Sequence, residues 1–134
     1  MSSIQNALKP TAEPVVVIDD DPALLGSLKF ALELEGYAVA PYRSGAELLA
    51  QKQLPETGCL VIDFKLSDMD GLTLLAYLRG RGVELPAILI TTHPSAGLRR
   101  RSAAANVPIV EKPLLGNALL DAIRGTLASH APPT

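Results

Sequence analysis

Short apolar runs rich in β-branched side chains recur along this chain and alternate with longer segments of helical spacing. Four of the five runs are apolar on consecutive residues, which is typical of strands covered on both faces. The predicted strands are residues 15–18, 37–42, 59–62, 87–90 and 107–110. This alternation constrains the fold more than any other feature, because each strand must be covered by helices on both sides.

The segments between the runs carry apolar residues at the spacing of amphipathic helices, within residues 24–32, 44–52, 71–78, 95–105 and 115–126. Asp21 followed by Pro22 predicts a helix start, while Gly36, Gly80 and Asn106 predict helix ends. Strands and helices in alternation favour right-handed βαβ units. The predicted fold class is α/β, with a doubly wound, five-stranded parallel sheet and five helices.

Length and charge narrow the classes of protein. The chain has 134 residues, one cysteine and a net charge of −2, so we expect one domain without disulfides and no direct binding of nucleic acid. No apolar run approaches the roughly 18 residues of a membrane span, and residues 1–10 lack the basic region followed by an apolar stretch that is typical of a signal peptide. We therefore expect a cytoplasmic protein with a domain over residues 14–128 and short tails, 1–13 and 129–134.

Residues with charged or hydroxyl side chains follow four of the predicted strands. Asp19, Asp20 and Asp21 follow the first strand, Asp63 the third, Thr91 the fourth and Lys112 the fifth. Because the carboxyl ends of parallel strands share one edge, and ligands of such sheets bind there, these side chains are candidates for one site.

Each of these residues also has an ordinary interpretation. An Asp triplet can cap a helix or bind a divalent cation, and the sequence favours neither. Asp63 is either a turn residue or a nucleophile toward phosphorus. Thr91 taken alone is a good strand residue, and Lys112 taken alone is a solvated lysine. Their joint placement at strand ends favours the chemical interpretation.

With these motifs in order, the sequence resembles the receiver domain of two-component response regulators. The resemblance covers residues 14–128 and its spacing is specific. It rests on Val16-Val17-Ile18-Asp19-Asp20-Asp21-Pro22, Leu60-Val61-Ile62-Asp63 with Met69-Asp70-Gly71 behind it, Ile88-Leu89-Ile90-Thr91, and Glu111-Lys112-Pro113.

The resemblance implies a flavodoxin-like sheet with strand order 2-1-3-4-5. By position, Asp63 corresponds to the phosphoacceptor. Asp20, Asp63 and the backbone carbonyl of Lys65 correspond to direct Mg²⁺ ligands, and Asp19 to a ligand acting through water. Thr91 and Lys112 correspond to the hydroxyl and the ammonium that bind the phosphoryl group. The Lys112–Pro113 peptide bond is expected to be cis.

Several positions depart from the family pattern. Ser67 stands where the loop after the phosphoacceptor often has Pro, and Thr92 stands where a small residue leaves room for the phosphoryl group. Ile109 occupies the place of the aromatic switch residue that moves with Thr91. Lys65 and His93 occupy the variable positions that flank the pocket, although an ordinary loop residue is favoured for His93.

The resemblance implies a phosphorylation-operated switch and not an enzyme acting on other molecules. Its partners would be a sensor histidine kinase or a histidine phosphotransfer protein, and a downstream protein reached through the fourth helix, fifth strand and fifth helix. It leaves room for a phosphorylation-dependent homodimer. We expect a stand-alone receiver, or one cut from a longer regulator.

A second hypothesis is a pseudo-receiver, in which the same fold acts as a phosphorylation-independent protein-binding module. Thr92 and Ile109 favour it, and the complete acidic set argues against it. A hydrolase of the haloacid dehalogenase type would need a second Asp at the position of Lys65. A nucleotide-binding domain would need a glycine-rich turn in place of residues 19–23.

Arg99, Arg100 and Arg101 lie within the predicted fourth helix. Successive helical residues are about 100° apart, so three consecutive arginines cannot all face the core. They form either a solvated face or a contact for an acidic partner.

Overall fold

A computed structural model describes residues 12–130 of the chain. The strands are β1 (Pro14–Ile18), β2 (Ala38–Tyr42), β3 (Cys59–Asp63), β4 (Ala87–Thr91) and β5 (Ile109–Glu111). The helices are α1 (Pro22–Leu34), α2 (Gly45–Leu49), α3 (Gly71–Gly80), α4 (Ala96–Ala104) and α5 (Ala118–Ser129). All strand pairs are parallel and lie in the order β2-β1-β3-β4-β5. The predicted α/β fold and strand order are confirmed.

Successive residues of one strand enter different cores. Val16 and Ile18 pack with α2, α3 and α4 on one face of the sheet, while Val15 and Val17 pack with α1 and α5 on the other. Every residue of β3 is buried. Two-sided burial explains why consecutive apolar residues predict these strands.

Helix ends follow the predicted chemistry at three of four positions. The Asp21 carboxylate accepts a hydrogen bond from the Ala23 N–H at 3.0 Å and caps α1. Gly36 and Asn106 have φ values of +96° and +60°, as chain reversal after a helix requires. The prediction for Gly80 is wrong: α3 includes it, and Gly82, with φ +84°, follows the cap.

Several predicted elements, including β2, α2, α4, β5 and α5, extend one to three residues beyond the observed ones at one end or both. Hydrogen bonds explain two of these differences. β5 begins at Ile109, two residues late, because the Val107 N–H donates to the Ser102 carbonyl of α4 and the Ser102 hydroxyl donates back to the Val107 carbonyl. α2 ends at Leu49, where the Arg81 guanidinium donates hydrogen bonds to the Leu49 and Gln51 carbonyls at 2.9 and 2.7 Å.

The predicted tails, 1–13 and 129–134, fall mostly outside the described residues, which begin at 12 and end at 130. α5 extends through Ser129, one residue into the predicted C-terminal tail. Among residues 12–130, no helix has the length and hydropathy to cross a bilayer.

Candidate functional site

The carboxyl ends of the central strands bring the singled-out residues to one edge of the sheet. Asp19 follows β1 directly and Asp63 is the last residue of β3. Thr91 is the last residue of β4, where it pairs in register with Glu111 of β5, and Lys112 follows Glu111. The parallel topology therefore assembles the predicted set, because all four strands run toward the same edge.

Three carboxylates form a cluster at this edge. Asp19, Asp20 and Asp63 each offer an oxygen within 4.8 Å of the others. Asp19 and Asp63 are buried, with exposed fractions of 0% and 5%, while Asp20 is exposed. At such separations each pair of negative charges repels by about 1 kcal/mol or more, depending on the local dielectric.

Lys112 supplies a positive charge to the cluster. Its ammonium nitrogen lies 3.3 Å from Asp63 Oδ1 and 3.4 Å from Asp19 Oδ2. Burial would lower the pKa of Lys112, but Asp63 and Asp19 outweigh it and raise that pKa above its ordinary value. Lys112 is therefore a cation at neutral pH, and one positive charge faces three carboxylates.

The acids remain incompletely compensated. Burial first and Asp19 second raise the pKa of Asp63, and the opposing effect of Lys112 is smaller. Asp19 Oδ1 accepts a hydrogen bond from the Asp21 N–H at 2.9 Å. Asp19 Oδ2 is buried and accepts no hydrogen bond of good geometry within the described residues, although the Lys112 ammonium is near. A hard divalent cation suits this set of oxygen donors.

A cavity lies beside the cluster, between the loop after β3 and the start of α4. Its volume is about 430 Å³, and it is lined in part by Lys65, Thr91, Thr92 and His93. Thr91 is buried, whereas the other three are exposed. The three predicted pocket-flanking residues therefore do share one cavity with Thr91.

Two loop residues have constrained backbones near the acids. The Lys65 N–H donates to Asp63 Oδ1 at 3.4 Å, which holds this peptide beside the acid. His93 has φ +48°, in the left-handed region that a non-glycine residue adopts only occasionally. The Lys112–Pro113 bond is cis, as the resemblance implied.

Ile109 lies at the start of β5, half-buried against the core on the α2–α4 face of the sheet. An aliphatic side chain therefore fills the place that an aromatic side chain has in the family pattern. Ile109 thus lies on the strand that is followed directly by Lys112.

The three arginines of α4 are not equivalent. Arg99 forms an ion pair with Glu111 of β5, and Arg101 lies 3.9 Å from Asp70 at the start of α3. The four side chains are between 35% and 55% exposed. Each ion pair therefore contributes at most about 1 kcal/mol to the free energy of unfolding. Two of the three arginines therefore have partners within the chain.

Two residues near the site were missed by sequence reasoning. The carboxylate of Asp68, in the loop after β3, accepts hydrogen bonds from the Gly45 and Ala46 N–H groups of α2 at 3.1 and 2.8 Å. Gly71 approaches the strand so closely that a Cβ there would lie 2.6 Å from the Asp63 carbonyl oxygen. The sequence predicts Gly71 at the start of a helix but does not indicate its close approach to β3, and no local signal marks Asp68, since its partners are 22 and 23 residues away.

Comparison with known proteins places the chain in a family. The family model for the response regulator receiver domain matches residues 15–124. The chain is 37% identical over 125 residues to the transcriptional regulatory protein FixJ of Azorhizobium caulinodans, covering 91% of this chain and 58% of that protein. It is 34% identical over 119 residues to the C4-dicarboxylate transport transcriptional regulatory protein DctR of Rhodobacter capsulatus, covering 87% and 60%.

Solved structures agree with this assignment. The crystal structure of FixJ-N has a TM-score of 0.78 and 29% identity, covering 90% of this chain and 97% of that chain. A response regulator receiver domain protein from Methanospirillum hungatei has a TM-score of 0.79 and 29% identity, covering 88% and 95%. The chain therefore belongs to the receiver domains of two-component response regulators, and it spans about three-fifths of the two curated relatives.

Proposed function

We propose that this receiver domain is a phosphorylation-operated switch, in which Asp63 accepts a phosphoryl group from a histidine kinase or a histidine phosphotransfer protein. The observation that carries the proposal is the convergence of three carboxylates within 4.8 Å at a sheet edge where the Lys112 ammonium lies 3.3 Å from Asp63. A buried acid with a raised pKa, here Asp63, lying with two other carboxylates beside a cation, is more typical of a chemical site than of a helix cap.

The donor set fits Mg²⁺. Asp20, Asp63 and the backbone carbonyl of Lys65 would hold the ion, with Asp19 acting through water. The fit is supported by the buried Asp19 Oδ2 that lacks a hydrogen bond, and by oxygen donors of the kind this cation prefers. Bound Mg²⁺ neutralises negative charge on a phosphoryl group that is being transferred.

Asp63 acts as the nucleophile. One of its carboxylate oxygens forms a bond to phosphorus as the N–P bond of the donor phosphohistidine breaks, and the imidazole nitrogen keeps the bonding electron pair. Asp63 must be ionised for this step. The Lys112 ammonium favours the ionised form and opposes the effect of burial.

Thr91 and Lys112 bind the new aspartyl phosphate. The Thr91 hydroxyl and the Lys112 ammonium donate hydrogen bonds to phosphoryl oxygens, and charge-assisted bonds of this kind are the stronger ones. Thr92, beside Thr91 in the cavity, narrows the approach and slows phosphorylation. Lys65 and His93 flank the same cavity and influence the lifetime of the phosphoryl group.

The output face is formed by α4, β5 and α5. Thr91 precedes the loop to α4 and Lys112 follows β5, so an anion held by both acts on these two elements. A shift from 1:99 to 99:1 between two packings requires about 5.5 kcal/mol of differential stabilisation. Ile109 takes part in this change with Thr91, but as an aliphatic side chain it cannot reproduce the rotation of a ring.

We also propose the setting in which the switch works. The net charge of −2 and the single buried cysteine are consistent with a cytoplasmic protein whose direct target is another protein and not nucleic acid or a membrane. Phosphorylation would promote a homodimer through the output face. Beyond its own phosphorylation and dephosphorylation, the domain would catalyse no reaction.

Intact-mass measurement after incubation with acetyl phosphate and Mg²⁺ tests the switch. We expect one added phosphoryl group on the wild type and none on Asp63→Asn or in the presence of a chelator. Asp121→Asn is the matched control, because Asp121 is exposed on α5 and lies outside the cluster. It should be labelled like the wild type.

The competing pseudo-receiver makes the opposite prediction. A wild type that stays unmodified, under conditions that label a control receiver, would overturn the switch proposal. Labelling of Asp63→Asn to the wild-type extent would overturn the assignment of Asp63. The acidic cluster and Lys112 give the pseudo-receiver no support, because a passive binding module has no need of buried, partly compensated charge.

A further inference from the structure

The loop after β3, residues 64–70, carries the peptide that lies beside Asp63. Its two ends are closed on each other, because the Gly71 N–H donates to the Phe64 carbonyl at 2.7 Å and the backbones of Lys65 and Asp70 pair in an isolated antiparallel β-bridge. The Asp70 carboxylate accepts from the Thr73 N–H at 2.7 Å and caps α3. These contacts tie the base of the loop to β3 and α3.

The tip of the loop is held by a different helix. Asp68 Oδ1 accepts from the Gly45 N–H at 3.1 Å and Oδ2 accepts from the Ala46 N–H at 2.8 Å. Met69 lies over Gly45 so closely that a Cβ there would come 2.7 Å from the Met69 sulfur. Both contacts connect the loop to the N-terminus of α2.

The first three amides of α2 thus have partners of two origins. Asp68 accepts from the first two, while Ser44, the residue before the helix, accepts from the Glu47 N–H at 3.0 Å. Ser44 is a local cap. Asp68 is a distant one, and only it joins the helix to the loop beside the acids.

The hydrogen bonds of Asp68 are the main polar connection of the loop tip. Apart from the contacts at the base with β3 and α3, which adjoin the loop, the other polar contact of residues 65–70 in the described part of the chain is the Arg101–Asp70 pair, at 3.9 Å. Ser67, just before Asp68, does not restrict the backbone as a proline would. The position of the loop therefore depends on the contact with α2.

We infer that Asp68 is a positioning residue for the Asp63 site: by holding the loop tip on α2, its carboxylate keeps the Lys65 peptide in the place that phosphoryl transfer requires. The inference rests on the proposed function, in which the Lys65 carbonyl helps to hold Mg²⁺. Asp68 itself touches neither the acids nor the phosphoryl group.

The test compares Asp68→Ala with Ser44→Ala. Each variant removes a side-chain cap from the N-terminus of α2, but only Asp68→Ala releases the loop. The measurement is the rate of labelling by acetyl phosphate as a function of Mg²⁺ concentration, with circular dichroism to confirm that each variant is folded at the assay temperature.

For Asp68→Ala we expect the Mg²⁺ concentration at half-maximal rate to rise, and the labelling rate at low Mg²⁺ to fall by about tenfold. This is well within the roughly 10²-fold loss that displacement by 1 Å can cause. Ser44→Ala should keep the wild-type rate and Mg²⁺ dependence. Asp68→Asn retains one oxygen acceptor of two and should give an intermediate Mg²⁺ dependence.

Wild-type Mg²⁺ dependence in Asp68→Ala would overturn the inference, as would equal losses in Asp68→Ala and Ser44→Ala. If Asp68→Ala does not fold, Asp68→Asn decides, and a wild-type Mg²⁺ dependence in that variant overturns the inference. An unlabelled wild type would instead contradict the proposed function. The two failures are therefore distinguishable in one experiment.

Discussion

At the residue scale, the site concentrates charge where the fold would be more stable without it. Asp63 is buried beside Asp19, and one ammonium faces three carboxylates. Burial and Asp19 raise the pKa of Asp63, so the metal-free folded protein holds that proton more tightly than the unfolded chain does. The contribution of Asp63 to stability is therefore present in acid and is lost as the pH rises through its raised pKa.

We accordingly predict that Asp63→Asn stabilises the metal-free protein at neutral pH. Removing one repelling charge should raise the free energy of unfolding by about 1–2 kcal/mol. Urea unfolding in the presence of a chelator measures this change. Acidification should shrink the difference, and so should Mg²⁺, which binds the folded wild type and stabilises it by mass action.

The control for this prediction is Asp121→Asn, which removes an exposed carboxylate and should change the stability by less than about 0.5 kcal/mol. A metal-free Asp63→Asn that is less stable than the wild type at neutral pH would contradict the prediction. It would show that Lys112 compensates the buried acids fully.

A second residue-scale prediction concerns Gly71 at the start of α3. A Cβ at this position would lie 2.6 Å from the Asp63 carbonyl oxygen and 2.9 Å from Ile62 Cγ2. Gly71→Ala should therefore cost about 1–3 kcal/mol and should slow labelling of Asp63, because the strand end must move. Urea unfolding and the intact-mass assay measure the two effects.

Gly80 provides the matched control, since it lies in the same helix with open space around its Cα. Gly80→Ala should be neutral or stabilise the protein by up to about 1 kcal/mol. Equal effects of the two substitutions would show that the close approach at Gly71 is unimportant.

At the element scale, α2 depends on capping. It has five residues, and its first amides are satisfied by Ser44 and Asp68. The Ala46 N–H chiefly, with the Gly45 N–H, lowers the pKa of Asp68 below its ordinary value. The contribution of the Asp68 carboxylate to stability is therefore complete above the ordinary Asp pKa of about 3.9. This contribution is lost as the pH falls through the lowered pKa of Asp68 in the folded protein.

The difference in unfolding free energy between the wild type and Asp68→Ala should thus depend on pH. We expect about 0.5–2 kcal/mol at neutral pH, as for other helix caps, and a smaller difference below about pH 4. Urea unfolding across this range measures it. Ser44→Ala removes no titratable group, so its difference from the wild type should stay constant, and a constant difference for Asp68→Ala would contradict the prediction.

Which elements could be predicted depended on where their determinants lie. β1, β3 and β4 carry their signal in consecutive apolar residues, and their predicted bounds differ from the structure by one residue at most at either end. The start of β5 depends on Ser102 in α4, five residues before its partner Val107, and the end of α2 depends on Arg81, which follows α3 and is about 30 residues away. Hydrogen bonds from outside a segment leave no periodic pattern in the segment they terminate.

At the scale of the whole molecule, the proposed switch joins one edge of the sheet to one face. Thr91 and Lys112 belong to the ends of β4 and β5, and α4 lies between these strands in sequence. The Arg99–Glu111 ion pair joins α4 to β5 on the exposed side. Phosphorylation should therefore change the structure or dynamics of α4 and β5 more than those of α1.

Hydrogen–deuterium exchange tests this direction of coupling. With Mg²⁺ and acetyl phosphate, we expect changed amide protection in residues 92–111 and little change within α1, because α1 packs on the other side of the sheet from α4. Asp63→Asn under the same conditions is the control and should show no change. Changes confined to α1, or spread evenly over the chain, would contradict the proposed output face.

The sequence alone determined the α/β fold class and the set of residues at the strand ends, because both follow from local hydrophobic periodicity and from the position of polar residues just after apolar runs. The tertiary structure decided how these residues meet: the burial of Asp19 and Asp63, the approach of Lys112 to both, and the bond from Asp68 to α2. Distances and burial arise from packing between segments far apart in the chain, which no local pattern records.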